Sequence, residues 1–273
     1  MKILISIFCI YIVICVLLYA FQDNLIFFPE KLSQEHEFRF ARDFEEKYFQ
    51  IDENTRLNAI HFFPSNQSTG AKNKKGTILY FHGNAGSLDG WGHVVNEFVD
   101  LGYEVLIPDY RGFGKSTGPF SEQTLYDDAR FLYDFLLDLS TEKMGENEAS
   151  QIIIYGRSLG TGVAIDLASK VQAKQLILET PFGNFPKMAQ SRFKIFPVKL
   201  LLKYQFRNDL KIKKVTCPIH IFHGTEDQVV PYSESQQLIR ILEHESILTT
   251  IPNGDHNNLG TFPLFWKKMK EIL

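Results

Sequence analysis

Gln151-Ile-Ile-Ile-Tyr155-Gly156-Arg157-Ser158-Leu159-Gly160-Thr161-Gly162-Val163-Ala164 is the stretch that decides the fold. Three β-branched isoleucines and a tyrosine suit a buried strand, and the small residues after Ser158 suit a helix packed close behind it. Between them, Gly156-Arg-Ser158-Leu-Gly160 fits G-x-S-x-G, a sharp strand-to-helix turn with the serine at its apex. A Cβ at either flanking glycine would collide with the neighbouring strand or helix. The new helix would aim its N-terminal amides at an anion forming beside Ser158. Taken alone, the motif also fits a serine in a glycine-rich surface turn, so the reading rests on its surroundings.

Those surroundings form one domain. With 273 residues, 44% hydrophobic and 14% aromatic, the chain can bury a substantial core. A formal net charge of −3 gives no basic field and argues against a nucleic-acid partner. Of three cysteines, Cys9 and Cys15 fall in the N-terminal apolar run, which leaves Cys217 alone in the body. Neither a disulfide framework nor a zinc site can be built from that.

Ile3 to Phe21 is apolar except for Ser6, and roughly nineteen residues at about 1.5 Å each match a hydrocarbon core of about 30 Å. The expectation is a membrane-spanning anchor over residues 1–22. The rival is a cleaved signal peptide, with Lys2 as its charged start and Leu18-Tyr-Ala20 as a poor cleavage site. Lys2 precedes the span while Asp23, Glu30 and Glu35 follow it, which leans the body to the non-cytoplasmic side. Residues 23–47 read as a juxtamembrane connector, and residues 48–273 as the globular domain.

Alternation between Lys47 and Phe63 predicts an antiparallel hairpin, and Ser65 to Gly76 a polar loop. Strands and helices then alternate: Thr77–Phe81, a helix about Leu88–Leu101, Tyr103–Pro108, a helix about Ser121–Leu139, and the elbow strand with its helix. Gln175–Glu179, Pro218–His223, a helix about Ser233–Leu242, Ser246–Ile251 and a helix near Phe262–Leu273 follow. That order implies parallel βαβ units.

A serine hydroxyl is a weak nucleophile. It needs a histidine base, and the base needs an acid to fix its tautomer and stabilise its positive charge. His223-Gly-Thr-Glu226-Asp227 ends a strand and turns, which makes Asp227 the candidate acid, with Glu226 the nearest rival and Glu179 a weaker one. Pro252-Asn-Gly254-Asp-His256 delivers a histidine on a turn after the next strand, so His256 is the candidate base. His61, His93 and His220 have surface or core explanations, His223 reads as a strand-end brace, and His244 precedes the Ser246 strand on a helical face. His82-Gly83-Asn84-Ala85-Gly86 follows the Thr77 strand and offers an oxyanion donor; the backbone N–H groups of Asn84 and Leu159 are the candidates. His82 itself reads as a brace for the glycine turn, and Asp109 and Arg111 as loop organisers.

Phe81-His-Gly-Asn-Ala-Gly86, Pro108-Asp-Tyr-Arg-Gly-Phe-Gly-Lys-Ser116, Gly156-Arg-Ser-Leu-Gly-Thr-Gly162, His223-Gly-Thr-Glu-Asp227 and Gly254-Asp-His256 together resemble the α/β-hydrolase superfamily, in its membrane-anchored branch. The resemblance runs from about Tyr48 to the C-terminus. It implies a mostly parallel sheet flanked by helices, and a serine hydrolase of esters, thioesters or amides without metal or organic cofactor. It also implies a cap inserted after the Glu179 strand. Residues 182–208 fill that place with aromatic and aliphatic side chains and cations but no acid. Pro197 would open a helix with Lys199, Lys203 and Arg207 along one face, meeting anionic headgroups while an apolar side admits an acyl chain. The rival is a cap packed over its own core.

The expected reaction is hydrolysis of a carboxylic ester with an apolar acyl group, on a lipid or similar substrate. A thioester, as on an acylated protein, is the alternative. A non-catalytic tethered binding protein on the same scaffold would show loss of a triad member, and none is missing.

Overall fold

The computed structural model describes residues 1–64, 74–144, 151–242 and 246–273. Most of the expected Ser65–Gly76 loop, and His244, lie outside the described residues. The chain opens with α1 (Lys2–Ile26), whose length and composition suffice to cross a membrane. Residues 23–47, read as a connector, hold the last turn of α1, the two-residue β1 (Phe28–Pro29) and the start of β2 (Phe44–Asp52).

β2 pairs antiparallel with β3 (Thr55–Phe62), the expected hairpin. There follow β4 (Thr77–Phe81), the short β5 (Ala85–Gly86), α2 (Leu88–Trp91), α3 (Asn96–Asp100), β6 (Glu104–Pro108) and α4 (Glu122–Met144). The elbow strand is β7 (Ile152–Arg157) and its helix α5 (Leu159–Ala168), followed by β8 (Gln175–Glu179). The cap holds α6 (Phe185–Arg192), α7 (Val198–Leu201) and α8 (Asn208–Lys211). β9 (Ile219–Gly224), α9 (Tyr232–Arg240), β10 (Ser246–Ile251) and α10 (Pro263–Ile272) complete the chain.

Eight strands form one sheet in the order β10-β9-β8-β7-β4-β6-β3-β2, parallel from β10 through β6. Its central strands carry no polar stripe because both faces are covered. In β4, Leu79 and Phe81 pack toward α4 and α5, while Ile78 and Tyr80 pack toward α3 and α10. In β7, Ile152 and Ile154 share the first face, and Ile153 and Tyr155 the second. The chain leaves β4 in one direction for β6 and returns on its other side for β7. That reversal opens a crevice beyond the carboxyl ends of β4 and β7, where ligands of open α/β sheets bind.

Two expectations are corrected. The helix expected over Leu88–Leu101 is broken into α2 and α3. Gly92 sits at the break, where a Cβ would lie 2.4 Å from the Phe40 ring, so the chain must turn close beneath that ring. The cap helix opened by Pro197 ends at Leu201, so Lys203 and Arg207 do not share a helical face with Lys199. Gln22 of α1 supplies the reason. Its side chain donates to the Leu201 carbonyl at 2.9 Å and accepts from the Lys203 N–H at 2.8 Å, and Leu202 is extended. Arg207 instead pairs with Asp209 at 2.9 Å, and the Lys203 ammonium lies over the Tyr19 ring.

Candidate active site

Ser158 stands between β7 and α5 with φ 51° and ψ −114°, a strained conformation for a residue with a side chain. The neighbouring glycines hold it there. A Cβ on Gly160 would lie 2.0 Å from the Phe81 carbonyl, and one on Gly156 2.5 Å from the Gly160 carbonyl. The Ser158 N–H donates to the Glu179 carbonyl at 2.9 Å, and Thr161 Oγ1 donates to the Ser158 carbonyl at 2.6 Å.

The structure brings Ser158, His256 and Asp227 together from three strand ends, across 98 and 29 residues of separation. His256 Nε2 lies 2.9 Å from Ser158 Oγ, and His256 Nδ1 lies 2.7 Å from Asp227 Oδ2. A carboxylate only accepts, so Nδ1 carries the proton and Nε2 is free to take one from the serine. Asp227 Oδ1 accepts from the Val229 and Val230 amides, both at 2.8 Å. His223 Nε2 lies 2.9 Å from the Val230 carbonyl and 3.2 Å from Asp227 Oδ2, which fits the brace expected of it. Burial alone raises the Asp227 carboxyl. Hydrogen bonds from His223 and His256, the His256 charge and the Val230 amide outweigh burial and hold it well below the usual carboxylate range.

The rival acids lie elsewhere. Glu226 is exposed, and Glu179 is taken by Tyr155 Oη at 2.6 Å and Arg157 Nε at 3.2 Å. Burial alone would lower the Arg157 guanidinium, but the Glu179 charge outweighs that and raises it.

Leu159 is the first residue of α5, whose leading amides have no intrahelical acceptor. Across the crevice, a Cβ on Gly83 would lie 3.8 Å from Ser158 Cβ, so the loop carrying Asn84 runs beside the nucleophile. What fixes that loop was not foreseen. The Asn84 side-chain amide donates to the carbonyl of Ile26, the last residue of α1. The Phe28 N–H then donates to the Asn84 carbonyl at 3.3 Å, and β1 pairs in parallel with β5. His82 lies beneath, with Nδ1 2.7 Å from the Gly83 carbonyl.

Ser158 and His256 open onto a cavity of about 750 Å3. Phe182, Phe185, Met188 and Phe206 line it from the cap, and Leu18, Gln22, Leu25 and Ile26 line it from α1. No Asp or Glu is among its described lining residues. The sequence held a signal for this face of α1: Tyr11, Leu18, Gln22 and Leu25 recur at helical spacing, with a polar group in the apolar run and one at its end.

The model of a protein family described as "Serine aminopeptidase, S33" matches residues 72–212, just over half of the chain. The chain belongs to that family. Its fold is the α/β-hydrolase fold, shared with the Pyrococcus furiosus esterase Pf2001 at a TM-score of 0.65 and 17% identity, over 91% of this chain and 96% of that one. Mouse "Lysophosphatidylserine lipase ABHD12" is 31% identical over 231 residues, 71% of this chain and 55% of that protein. The chain thus spans about half the length of the ABHD12 lipases that it matches. "Uncharacterized protein YfhR" of Escherichia coli is 28% identical over 256 residues, 91% of this chain and 83% of that protein. Both motif loops His82–Gly86 and Gly156–Gly162 lie within the part matched by the S33 family model, whereas Asp227 and His256 lie beyond it.

Proposed function

We propose that this chain is a membrane-anchored serine esterase that cleaves carboxylic esters of lipids carrying an apolar acyl group. One observation carries the reading: a Ser158–His256–Asp227 array at hydrogen-bonding distances opens onto a large cavity whose walls are almost entirely apolar. Its size lies within the roughly 300–1,000 Å3 typical of small-molecule sites.

In this mechanism, Ser158 Oγ attacks the ester carbonyl while its proton passes to His256 Nε2, and Asp227 stabilises the imidazolium. The Asn84 and Leu159 amides hold the oxyanion, each worth about 3 kcal/mol to the transition state. His256 then protonates the departing alcohol. Water, deprotonated by the same nitrogen, attacks the acyl-enzyme and frees the acid and Ser158. The lipid names of the ABHD12 relatives support a lipid ester. The aminopeptidase in the family's description fits less well, because no lining carboxylate offers a partner for a peptide's terminal ammonium. We place the body on the non-cytoplasmic side of the membrane, from Lys2 before α1 and Asp23, Glu30 and Glu35 after it.

The test uses the full-length protein, since α1 lines the cavity. Fluorophosphonate should label the wild type and neither Ser158→Ala nor His256→Ala, and the wild type should release fatty acid from single-chain lipid esters. A folded wild type that neither labels nor turns over esters removes the esterase reading and favours a tethered binding protein.

A further inference from the structure

One face of α1 is committed to the cap along most of its length. Tyr11 Oη donates to the Ile195 carbonyl at 2.8 Å, and its ring stacks on Phe196 with centroids 5.9 Å apart. Cys15 and Gln22 are buried, at 7% and 5% exposure, and Leu18, Leu25 and Ile26 line the cavity. The remaining faces of the helix are open.

This seam fixes how deep the cap sits. From Tyr11 to Ile26 the helix measures about 22 Å at about 1.5 Å per residue. The cap residues touching Tyr11 therefore lie level with the apolar run Ile3–Phe21. Two features of residues 193–202 suit that depth. Phe193, Ile195 and Leu200 are 58%, 75% and 81% exposed, a patch that a water-facing surface would hide. Several polar groups of their irregular backbone are also covered by side chains, which lowers the cost of taking them out of water. Gln190 Nε2 donates to the Phe193 and Phe196 carbonyls at 3.2 and 3.0 Å, and its Oε1 accepts from the Val198 N–H at 3.2 Å. Tyr11 covers the Ile195 carbonyl, and Gln22 covers the Leu201 carbonyl and the Lys203 N–H. Lys194 and Lys199 are exposed, and their apolar stems let the charged heads turn away from the apolar patch.

The rim of the cavity has the same character. Leu25, Phe28, Phe193 and Val229 line it and are at the same time 57%, 58%, 58% and 46% exposed, so they mark an apolar mouth bordered by the end of α1.

We propose that the C-terminal half of α1 is a wall of the substrate site, and that α1 and cap residues 193–202 lie together in the bilayer, so that an acyl chain reaches Ser158 sideways from the hydrocarbon. The inference rests on the esterase reading for its substrate, but its geometry can be tested apart from it. Leu18 then sets how much chain the cavity accepts, and Gln22 is the positioning residue that locks the cap to the anchor.

The experiment uses the full-length protein in lipid nanodiscs with monoacyl esters of short, medium and long chains. Leu18→Trp should lower the long-to-short ratio of kcat/KM by about tenfold, since a few methylenes lose their place. Leu18→Ala, whose smaller side chain keeps the packing from clashing, should raise the ratio. Thermal unfolding checks that each variant is folded. In parallel, the fluorescence that Ile195→Trp adds to the wild type should be quenched by lipids brominated along the acyl chain and not by aqueous acrylamide. An unchanged ratio in both folded Leu18 variants, or a tryptophan quenched from water alone, overturns the proposal. A wild type inactive on every ester defeats the esterase reading instead, and the quenching still reports where the cap lies.

Discussion

Two Asp–His pairs sit at strand ends beside the crevice, and they differ in what surrounds the carboxylate. Asp227 follows β9 and receives two backbone amides at 2.8 Å, a third contact from His223, and His256 at 2.7 Å. Asp109 follows β6, receives the Leu88 amide at 3.1 Å, and faces His82 at 3.3 Å with both side chains fully buried. Burial dominates there and raises the Asp109 carboxyl, with the His82 hydrogen bond and charge offsetting it only in part. The two carboxyls are therefore shifted in opposite directions. His82 Nδ1 lies 2.7 Å from the Gly83 carbonyl, so that nitrogen donates to the backbone rather than to a side chain. Residue type alone does not make a catalytic pair. Donors that keep the acid ionised, and a histidine nitrogen free to reach a nucleophile, separate the proposed catalytic pair from the bracing one.

Activity should separate the pairs most sharply. Ser158→Ala or His256→Ala should lower kcat by on the order of 10^6, and Asp227→Asn by on the order of 10^4, because the asparagine amide cannot stabilise the imidazolium and favours the wrong tautomer. Asp109→Asn should keep kcat within a few-fold, since neither member of its pair reaches Ser158. Comparable losses in folded Asp227→Asn and Asp109→Asn, read as kcat on one ester, would dissolve the distinction.

Stability should reverse the order. His82 stacks on Trp91 and packs tilted against Tyr110, with ring centroids at 5.5 and 4.3 Å, and is buried with its partner acid. His82→Ala should cost about 3–5 kcal/mol in urea unfolding, from a cavity plus a stranded polar group. His256, at the edge of the cavity, should cost less than about 1.5 kcal/mol when replaced by alanine, the loss of one hydrogen-bonded contact. Equal costs would mean that His82 braces nothing.

The split between what could and could not be read follows range of interaction. Short-range chemistry is written in neighbours: Gly156 and Gly160 around Ser158, the turn that ends in Asp227, and Gly254 before His256 all announce themselves by local geometry. Continuous apolar strand runs and βαβ spacing likewise point to the parallel sheet. The cap could not be read this way. Pro197 and three cations at helical spacing predict a longer helix, but Gln22, distant in sequence, takes the hydrogen bonds that continuing it would need. Helix α1 read as an anchor because hydropathy weighs all its faces together. The polar groups of Tyr11 and Gln22 on one face bind the cap, while Leu18, Gln22, Leu25 and Ile26 line the cavity.

The smallest expected effect is on acid stability, and its sign differs between the two pairs. Asp227 is depressed in the folded state, so between its folded value and about 3.9 the unfolded chain binds more protons. Its contribution is therefore complete above about pH 4 and is lost as pH falls below that. Asp109 is raised, so the folded chain binds more protons above about pH 3.9, and its contribution is complete below that and lost as pH rises through its folded value. Urea midpoints across acid pH should show Asp227→Asn closing its deficit to wild type as pH falls, while Asp109→Asn gains on wild type as pH rises. Parallel pH profiles for the two variants would mean that the donors around Asp227 and the burial of Asp109 leave the carboxyls alike. The contrast between the proposed catalytic pair and the bracing one would then rest on geometry alone.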